Sequence, residues 1–262
     1  MSQYYNRPIA FRVANVFSNH MVLQREKNIH VFGEAQPDTQ VLVTLIRPDG
    51  SQTVAQTMAE DNKWLAILPP QKSAEGCILR VDAYRVIREQ AGVSSTEDSP
   101  MAEDCRKEED GHKAEEKRLL MQQEYTDVSI GEVWLAGGQS NMELELKDCA
   151  GGMESLQNDK NSNVRFYYTP KEPYKNKHFY EVEEGTSWQT FDEENAKNWS
   201  AVGYYFAKKL SQDLDGVTVG VIGCNWGGTS ASAWMSEAAL REDVELSTYL
   251  EEFDKACEGI SV

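Results

Sequence analysis

The amino-acid sequence predicts two architectures in succession, an all-β sandwich-like module followed by an α/β domain with a parallel sheet. From Phe11 to Tyr84, short apolar or alternating runs are separated by turn signals, a pattern typical of antiparallel strands in a sandwich or barrel. After Val128, strand-like runs alternate with a helical run, which favours a parallel sheet. The stretch between them is strongly charged. The predicted boundaries are 1–85 for the β module, 86–126 for a charged insertion and 127–262 for the first part of the α/β domain.

The overall composition indicates a soluble globular protein. Hydrophobic residues make up 40% of the chain and charged residues 26%. The formal net charge of -17 argues against nucleic acid and anionic membranes as partners, because binding to phosphates needs an excess of Lys and Arg. The amino terminus lacks the apolar core of a signal peptide, and no run approaches the ~20 apolar residues of a membrane span. We therefore expect a cytoplasmic location.

The cysteines predict neither a metal site nor a disulfide framework. Five cysteines are widely spaced and form no CxxC pair. Reduced thiols, no metal and no cofactor are the resulting expectation.

Six strands are predicted in the β module. Turn signals such as Pro37-Asp38 and Pro69-Pro70 separate them. The strands are expected at Phe11–Phe17, His30–Gly33, Gln40–Ile46, Gln52–Met58, Trp64–Leu68 and Cys77–Ala83. Trp64 is predicted to be a core residue, with a role facing carbohydrate as the alternative.

The charged stretch is predicted to be a solvated insertion, mobile or loosely helical. Glu103–Arg118 is dense in Glu, Asp, Lys and Arg, and such a segment cannot bury enough apolar surface to order itself. A solvated helix from Lys113 to Gln123 is one expectation. A docking arm or lid is the functional alternative.

The α/β domain is predicted from one helix and the strands around it. Trp199–Leu210 has helical spacing, with Ser200 as N-cap. Its apolar residues on one face are Val202, Tyr205, Phe206 and Leu210. The strands are expected at Val164–Thr169 and Val217–Ile222, and Ser236–Cys257 is expected to be helical.

One stretch joins a predicted strand end to a polar cluster. Residues Gly131–Met142 read GEVWLAGGQSNM, in which Val133–Ala136 is strand-like and two glycines precede Gln139, Ser140 and Asn141. Open α/β sheets bind ligands at the carboxyl edge of their strands. A serine exposed there has the chemistry of a nucleophile, and its backbone N–H that of an oxyanion donor. The alternative is a structural helix N-cap, a position that serine favours.

A second glycine cluster follows the next predicted buried strand. Residues Gly223–Ser230 read GCNWGGTS. Adjacent glycines permit unusual backbone angles and expose N–H groups, as an oxyanion pocket requires, although a simple glycine turn has the same pattern.

Together these stretches resemble the sialate O-acetylesterase family, within the SGNH (GDSL-like) hydrolases. Twelve consecutive residues, Gly131–Met142, are similar to its first block, and Trp226-Gly-Gly-Thr229 with Ala233-Trp-Met235 is similar to its second glycine segment. In the β module, Met21–Arg25 and Val31–Ala35 also resemble the family. The resemblance implies an SGNH-hydrolase-like parallel sheet with helices, incomplete in this chain.

The resemblance also implies an activity and site residues. The implied reaction is the hydrolysis of O-acetyl esters on sialic acid or related sugars, with Ser140 as nucleophile. Ser140 and Gly228 are the expected oxyanion donors, without a metal. The residues expected to contact the substrate or line its pocket are Gln139, Asn141, Trp226, Thr229 and Trp234.

The catalytic base of this family is missing from the pattern. SGNH enzymes carry an Asp-x-x-His motif near the carboxyl terminus, and no histidine here has an aspartate three positions earlier. His112 and His178 are weak candidates. The expectation is an amino-terminal half whose missing half supplies the base; the chain is either a truncated or split product, or the missing half comes from a second chain. The alternatives are a non-catalytic carbohydrate-binding or assembly fragment, and a general SGNH lipase or thioesterase.

Overall fold

The computed structural model describes residues 10–87, 116–159, 163–172 and 177–258. The strands are β1 Phe11–Val13, β2 Val22–Gln24, β3 Ile29–Ala35, β4 Thr39–Ile46, β5 Gln52–Met58, β6 Lys63–Leu68, β7 Ala74–Ile87, β8 Glu116–Gly138, β9 Val164–Tyr168, β10 Gln189–Thr190 and β11 Val219–Asn225. The α-helices are α1 Ser140–Glu143, α2 Gly152–Asn158, α3 Lys177–Glu184, α4 Glu193–Ala196, α5 Ala201–Asp213, α6 Glu237–Glu242 and α7 Ser247–Ala256.

The amino-terminal part is built from antiparallel strands, as predicted. β1, β3 and β6 form one sheet, and β5, β4, β7 and β8 pair in that order in the other. Alternate side chains of both sheets meet in one core, because successive residues of a strand point to opposite faces. Val31, Val43, Trp64 and Leu79 are all buried there, so the prediction that Trp64 is a core residue is confirmed.

β8 is the longest strand and changes partner along its length. Its first part pairs with β7, residues 129–131 pair with β2, and residues 132–138 pair with β11. The helix expected from Lys113 to Gln123 is therefore wrong over residues 116–123, which are strand. The backbone hydrogen bonds that a helix would supply internally are made across to β7, and the charged side chains extend into solvent. Residues 88–115, which include His112, lie outside the described residues.

The carboxyl-terminal part contains the predicted parallel sheet. β9, β11 and β8 are adjacent and parallel, and β10 joins the edge antiparallel to β9. A second core lies between these strands and α5, with Phe166, Trp199, Tyr204 and Val221 buried in it. Strands and helices of this arrangement form the α/β fold expected for an SGNH-like protein. The domain boundaries stay a prediction.

The helix α5 is confirmed, but the face that packs on the sheet differs from the apolar face in the sequence. The buried residues of α5 include Gly203, Tyr204 and Ala207, whereas Val202 and Phe206 are 49% and 44% exposed. Small residues allow the helix to approach the sheet closely, and a Cβ at position 203 would lie only 3.0 Å from the Phe166 ring. Three of the four apolar residues on the predicted face are left on the outer side of the helix, and the fourth, Leu210, packs partly against the core.

Replacing Ser200 by alanine is expected to lower the free energy of unfolding by about 1–2 kcal/mol. The Ser200 hydroxyl accepts a hydrogen bond from the Gly203 N–H at 3.1 Å, which confirms the predicted N-cap, and the residue is buried. Urea denaturation measures the change. The control is Ser247→Ala, because the partly exposed Ser247 starts α7 without capping it and its loss should change the free energy by less than about 0.5 kcal/mol. Equal losses in both variants would contradict the capping argument.

Candidate active site

The two stretches singled out in the sequence meet at one edge of the sheet. β8 and β11 are parallel neighbours with Gly138 opposite Asn225, and the Trp226 N–H donates to the Gly138 carbonyl at 3.0 Å. Both strands therefore end at the same place, and their following loops are in contact. A Cβ added to Gly227 would lie 3.7 Å from the Ser140 Cα.

Ser140 is exposed and serves no capping function. It is the first residue of α1, whose N-cap is Gln139 and lacks a side-chain capping bond. The Ser140 hydroxyl donates only to its neighbour Gln139 Oε1, at 3.2 Å. The structural alternative for this serine, a helix N-cap, is wrong. The side chain is available for chemistry.

The two backbone amides predicted to be oxyanion donors are those of Ser140 and Gly228. Within the described residues, neither the Ser140 N–H nor the Gly228 N–H has a hydrogen-bond acceptor. Gly228 has φ +77°, a left-handed conformation that glycine adopts without strain, and there is open space around its Cα. Donors without internal acceptors next to an exposed hydroxyl are what stabilisation of a tetrahedral oxyanion requires.

An open cavity of about 580 Å³ adjoins the serine. This volume lies within the ~300–1,000 Å³ range typical of small-molecule sites. It is lined by Gly137, Gly138, Gln139, Thr229, Ala231 and Trp234. Of the residues predicted to contact substrate, Gln139 and Thr229 line the cavity, whereas Asn141 and Trp226 are exposed beside it.

The Thr229 hydroxyl holds the second loop together. It donates to the Trp226 carbonyl at 2.7 Å and accepts from Trp234 Nε1 at 2.9 Å. Both hydrogen-bonding capacities of this hydroxyl are thereby engaged within the loop. Trp234, itself 45% exposed, is fixed as one wall of the cavity.

No histidine in the described part of the chain hydrogen-bonds to Ser140. His178 is near the start of α3, with its Nε2 3.4 Å from Glu172 Oε1. A well-formed His–Asp pair exists elsewhere, with His20 Nδ1 2.7 Å from Asp127 Oδ2. Asp127 precedes the end of β8 by eleven residues, so at ~3.3 Å per residue the pair lies on the order of 30 Å from Ser140. Neither His20 nor His178 hydrogen-bonds to the Ser140 hydroxyl.

The His20–Asp127 pair is instead part of the fold. Burial raises the pKa of the Asp127 carboxyl, but hydrogen bonds from His20 and the Arg165 guanidinium outweigh it and hold that pKa below its usual value. Arg165 also donates to the His20 and Asp127 carbonyls. Through these hydrogen bonds, His20 before β2, Asp127 in β8 and Arg165 in β9 connect the three segments.

Two residues near the serine were not identified from the sequence, Glu143 and Lys171. Glu143 is three residues after Ser140, and its Oε2 accepts the Gly227 N–H at 2.5 Å. Lys171 follows β9 and donates to Glu143 Oε1. The signal available in the sequence was position alone, since both residues follow parallel strands at the carboxyl edge.

No group of three His, Cys, Asp or Glu side chains suited to a metal occurs among the described residues, nor does any helix long and apolar enough to cross a membrane.

The parallel strands and the helices packed on them define an SGNH-like α/β fold. Residues 130–259 match the model of a family described as carbohydrate esterase, sialic acid-specific acetylesterase.

Proteins of known name show the same likeness. The chain is 26% identical to human sialate O-acetylesterase over 249 residues and 24% identical to the mouse protein over 248 residues. Each match covers 89% of this chain, and the chain spans about 40% of the length of these curated relatives. A crystal structure of a carbohydrate acetylesterase from Xanthomonas citri superimposes with a TM-score of 0.64 at 26% identity, covering 88% of this chain and 43% of that one.

Proposed function

We propose that this chain carries the nucleophile of a carboxylic ester hydrolase that removes O-acetyl groups from sialic acid or related acetylated sugars. The observation that carries the proposal is Ser140, an exposed serine without a structural role, beside a glycine loop with a free N–H and an open cavity. The relatives named for acetylester hydrolysis support the substrate class.

The proposed mechanism uses one side chain and two backbone amides. The Ser140 hydroxyl attacks the acetyl carbonyl as a base takes its proton, and the carbonyl oxygen becomes negatively charged. The N–H groups of Ser140 and Gly228 stabilise this oxyanion, each contributing ~3–4 kcal/mol to the transition state by comparison with other hydrolases. The sugar hydroxyl leaves with a proton, and water then releases acetate from the acetyl-serine.

The proposed source of the base is polypeptide that pairs with the free edge of β8. Residues 132–138 pair with β11 on one side, and no strand in the described part of the chain pairs with the other side. Trp134 and Leu135 on this segment are 46% and 69% exposed. An unpaired strand flanked by exposed apolar side chains is suited to the addition of a further strand. Such a strand would end beside Ser140.

The experiment is acetate release from O-acetylated sialic acid by this chain, with and without added imidazole as a substitute base. Serine-dependent release that increases strongly with imidazole is the expected result, since the proposal assigns the serine and both oxyanion donors to this chain and the base to polypeptide outside it. Ser140→Ala supplies the background at each imidazole concentration.

Other outcomes would change the proposal in defined ways. Serine-dependent release without imidazole would place a base within this chain and make His178 the next residue to replace. The absence of any serine-dependent release would contradict the esterase proposal and favour a non-catalytic carbohydrate-binding or assembly fragment.

A further inference from the structure

Glu143 connects three separate segments at the candidate active site. It is one helical turn after Ser140 in α1, and its two carboxylate oxygens have different partners. Oε2 accepts the backbone N–H of Gly227 at 2.5 Å, and Oε1 accepts a hydrogen bond from Lys171 Nζ. The helix of the serine, the glycine loop after β11 and the loop after β9 are thereby joined through one side chain.

The contact with Gly227 distinguishes the two adjacent glycines. The Gly227 N–H is engaged by Glu143 and cannot also donate to a substrate, whereas the next N–H, that of Gly228, has no acceptor in the described part of the chain. The Gly228 N–H lies in the next planar peptide unit, so only the two backbone torsions of Gly227 separate it from the fixed Gly227 N–H. The position of the free donor is therefore controlled by the bond to its neighbour.

We propose that Glu143 is a positioning residue, whose carboxylate fixes Gly227 against the helix of Ser140 and so holds the Gly228 N–H as the oxyanion donor. Lys171 supports this role of Glu143 by bonding to its other carboxylate oxygen. This inference rests on the proposed esterase function, because a positioned donor matters only if an oxyanion forms.

The positive charge of Lys171 counteracts the unfavourable effect of the Glu143 carboxylate on a nearby oxyanion. A carboxylate close to a developing oxyanion would disfavour it, since like charges repel more strongly away from bulk water. The ammonium group of Lys171, bonded to the other carboxylate oxygen, offsets that negative charge. The hydrogen bond from Lys171, with that from Gly227, also holds the pKa of Glu143 below its usual value, so the side chain remains an ionised acceptor at neutral pH.

A side chain at position 227 would occupy the same space as the Glu143 carboxylate. A Cβ there would lie 2.5 Å from Glu143 Oε2, so only glycine permits the carboxylate to approach its N–H this closely. An alanine at 227 would displace the Glu143 carboxylate.

The test compares Glu143→Ala, Glu143→Gln and the wild-type chain under the imidazole conditions that give serine-dependent acetate release. Glu143→Ala is expected to lower kcat by about 100-fold with little change in KM, because misplacing a catalytic group by about 1 Å has effects of that size. Glu143→Gln is expected to recover most of the loss, since its amide oxygen still accepts the Gly227 N–H. A purely structural role would lower stability without this recovery.

Glu145→Gln is the matched control, an acidic residue two positions away that bonds to Lys147 on the surface. It should leave kcat unchanged. A wild-type kcat in Glu143→Ala, or equal losses in Glu143→Ala and Glu143→Gln, would overturn the proposal.

A second readout is independent of activity. In the ¹⁵N-labelled chain, the Gly227 amide proton is expected far downfield, as for a short bond to a carboxylate, and to move upfield in Glu143→Ala but not in Glu145→Gln. An unmoved Gly227 resonance would overturn the contact itself. If the contact is present but Ser140→Ala retains full activity, the proposed esterase function has failed, and with it the catalytic part of this inference.

Discussion

Replacing Ser140 by alanine is expected to reduce the imidazole-assisted acetate release of this chain to background, without a change in Tm. The hydroxyl is the only part of the residue proposed to form a covalent bond with the acetyl group, so no other group in the site replaces it. Stability should be unaffected because the side chain is exposed and its single hydrogen bond is to the adjacent Gln139. Acetate release and thermal denaturation of the same preparations provide the two measurements.

Ser230→Ala is the matched control for this prediction. Ser230 is an exposed serine on the loop of Gly228, and its hydroxyl hydrogen-bonds to that of Ser232 at 2.7 Å. It should retain activity within about threefold, a difference of less than 1 kcal/mol in transition-state stabilisation. Retained activity in Ser140→Ala, or an equal loss in Ser230→Ala, would show that the reaction does not depend on the proposed nucleophile.

Replacing Trp199 by alanine is expected to lower the free energy of unfolding by about 3–5 kcal/mol. Trp199 is fully buried, stacks on Phe166 at 4.6 Å between ring centroids and donates from Nε1 to Gln189 Oε1 at 2.7 Å. Its removal leaves a large cavity and an unpaired, partly buried acceptor at Gln189. A loss of this size is a substantial fraction of the ~5–15 kcal/mol that typically stabilises a folded domain.

The loss of Trp199 is also expected to disturb the site. The Leu146 N–H donates to the Trp199 carbonyl at 2.8 Å, and the Ala201 N–H donates to the Leu144 carbonyl at 2.8 Å. These bonds hold the chain that follows α1 against the start of α5. Trp134→Ala is the control, since that side chain is 46% exposed and should cost only about 1 kcal/mol in urea denaturation. Equal losses for the two tryptophans would contradict the packing argument.

Local patterns in the sequence were sufficient for most elements of the fold. The run Gln52–Met58 is a strand with the predicted bounds, and Ser200 caps the helix that it was predicted to cap. Both depend on signals within a few residues, the alternation of side chains in a strand and a hydroxyl at a helix start. β2 was not predicted, because three residues are too few to establish a period.

Charge and amphipathicity were less informative where distant contacts decide the structure. The residues from 116 to 123 are as compatible with a solvated helix as with an exposed strand, and pairing with β7 decides between them. Most apolar residues on the predicted face of α5 are exposed, because the sequence pattern does not show that the small residues and Tyr204 are the ones that face the sheet. In both cases the deciding partner is remote in the sequence.

For the candidate site, the sequence indicated which strand ends carry the chemistry but not how their loops are joined. The structure brings Ser140 and the Gly227–Gly228 turn together; their catalytic roles stay predictions. Glu143 is 28 residues from Lys171 and 84 from Gly227, separations at which a single sequence contains no signal of contact.

The partner changes along β8 have a thermodynamic consequence. This strand contributes Val128 and Ile130 to the first core and Ala136 to the second, and it is hydrogen-bonded to a neighbour throughout. Melting either core would remove pairing partners from the same continuous backbone segment. The two cores are thus one cooperative unit of unfolding. A destabilising substitution in the first core is expected to destabilise the strand that presents Ser140 as well.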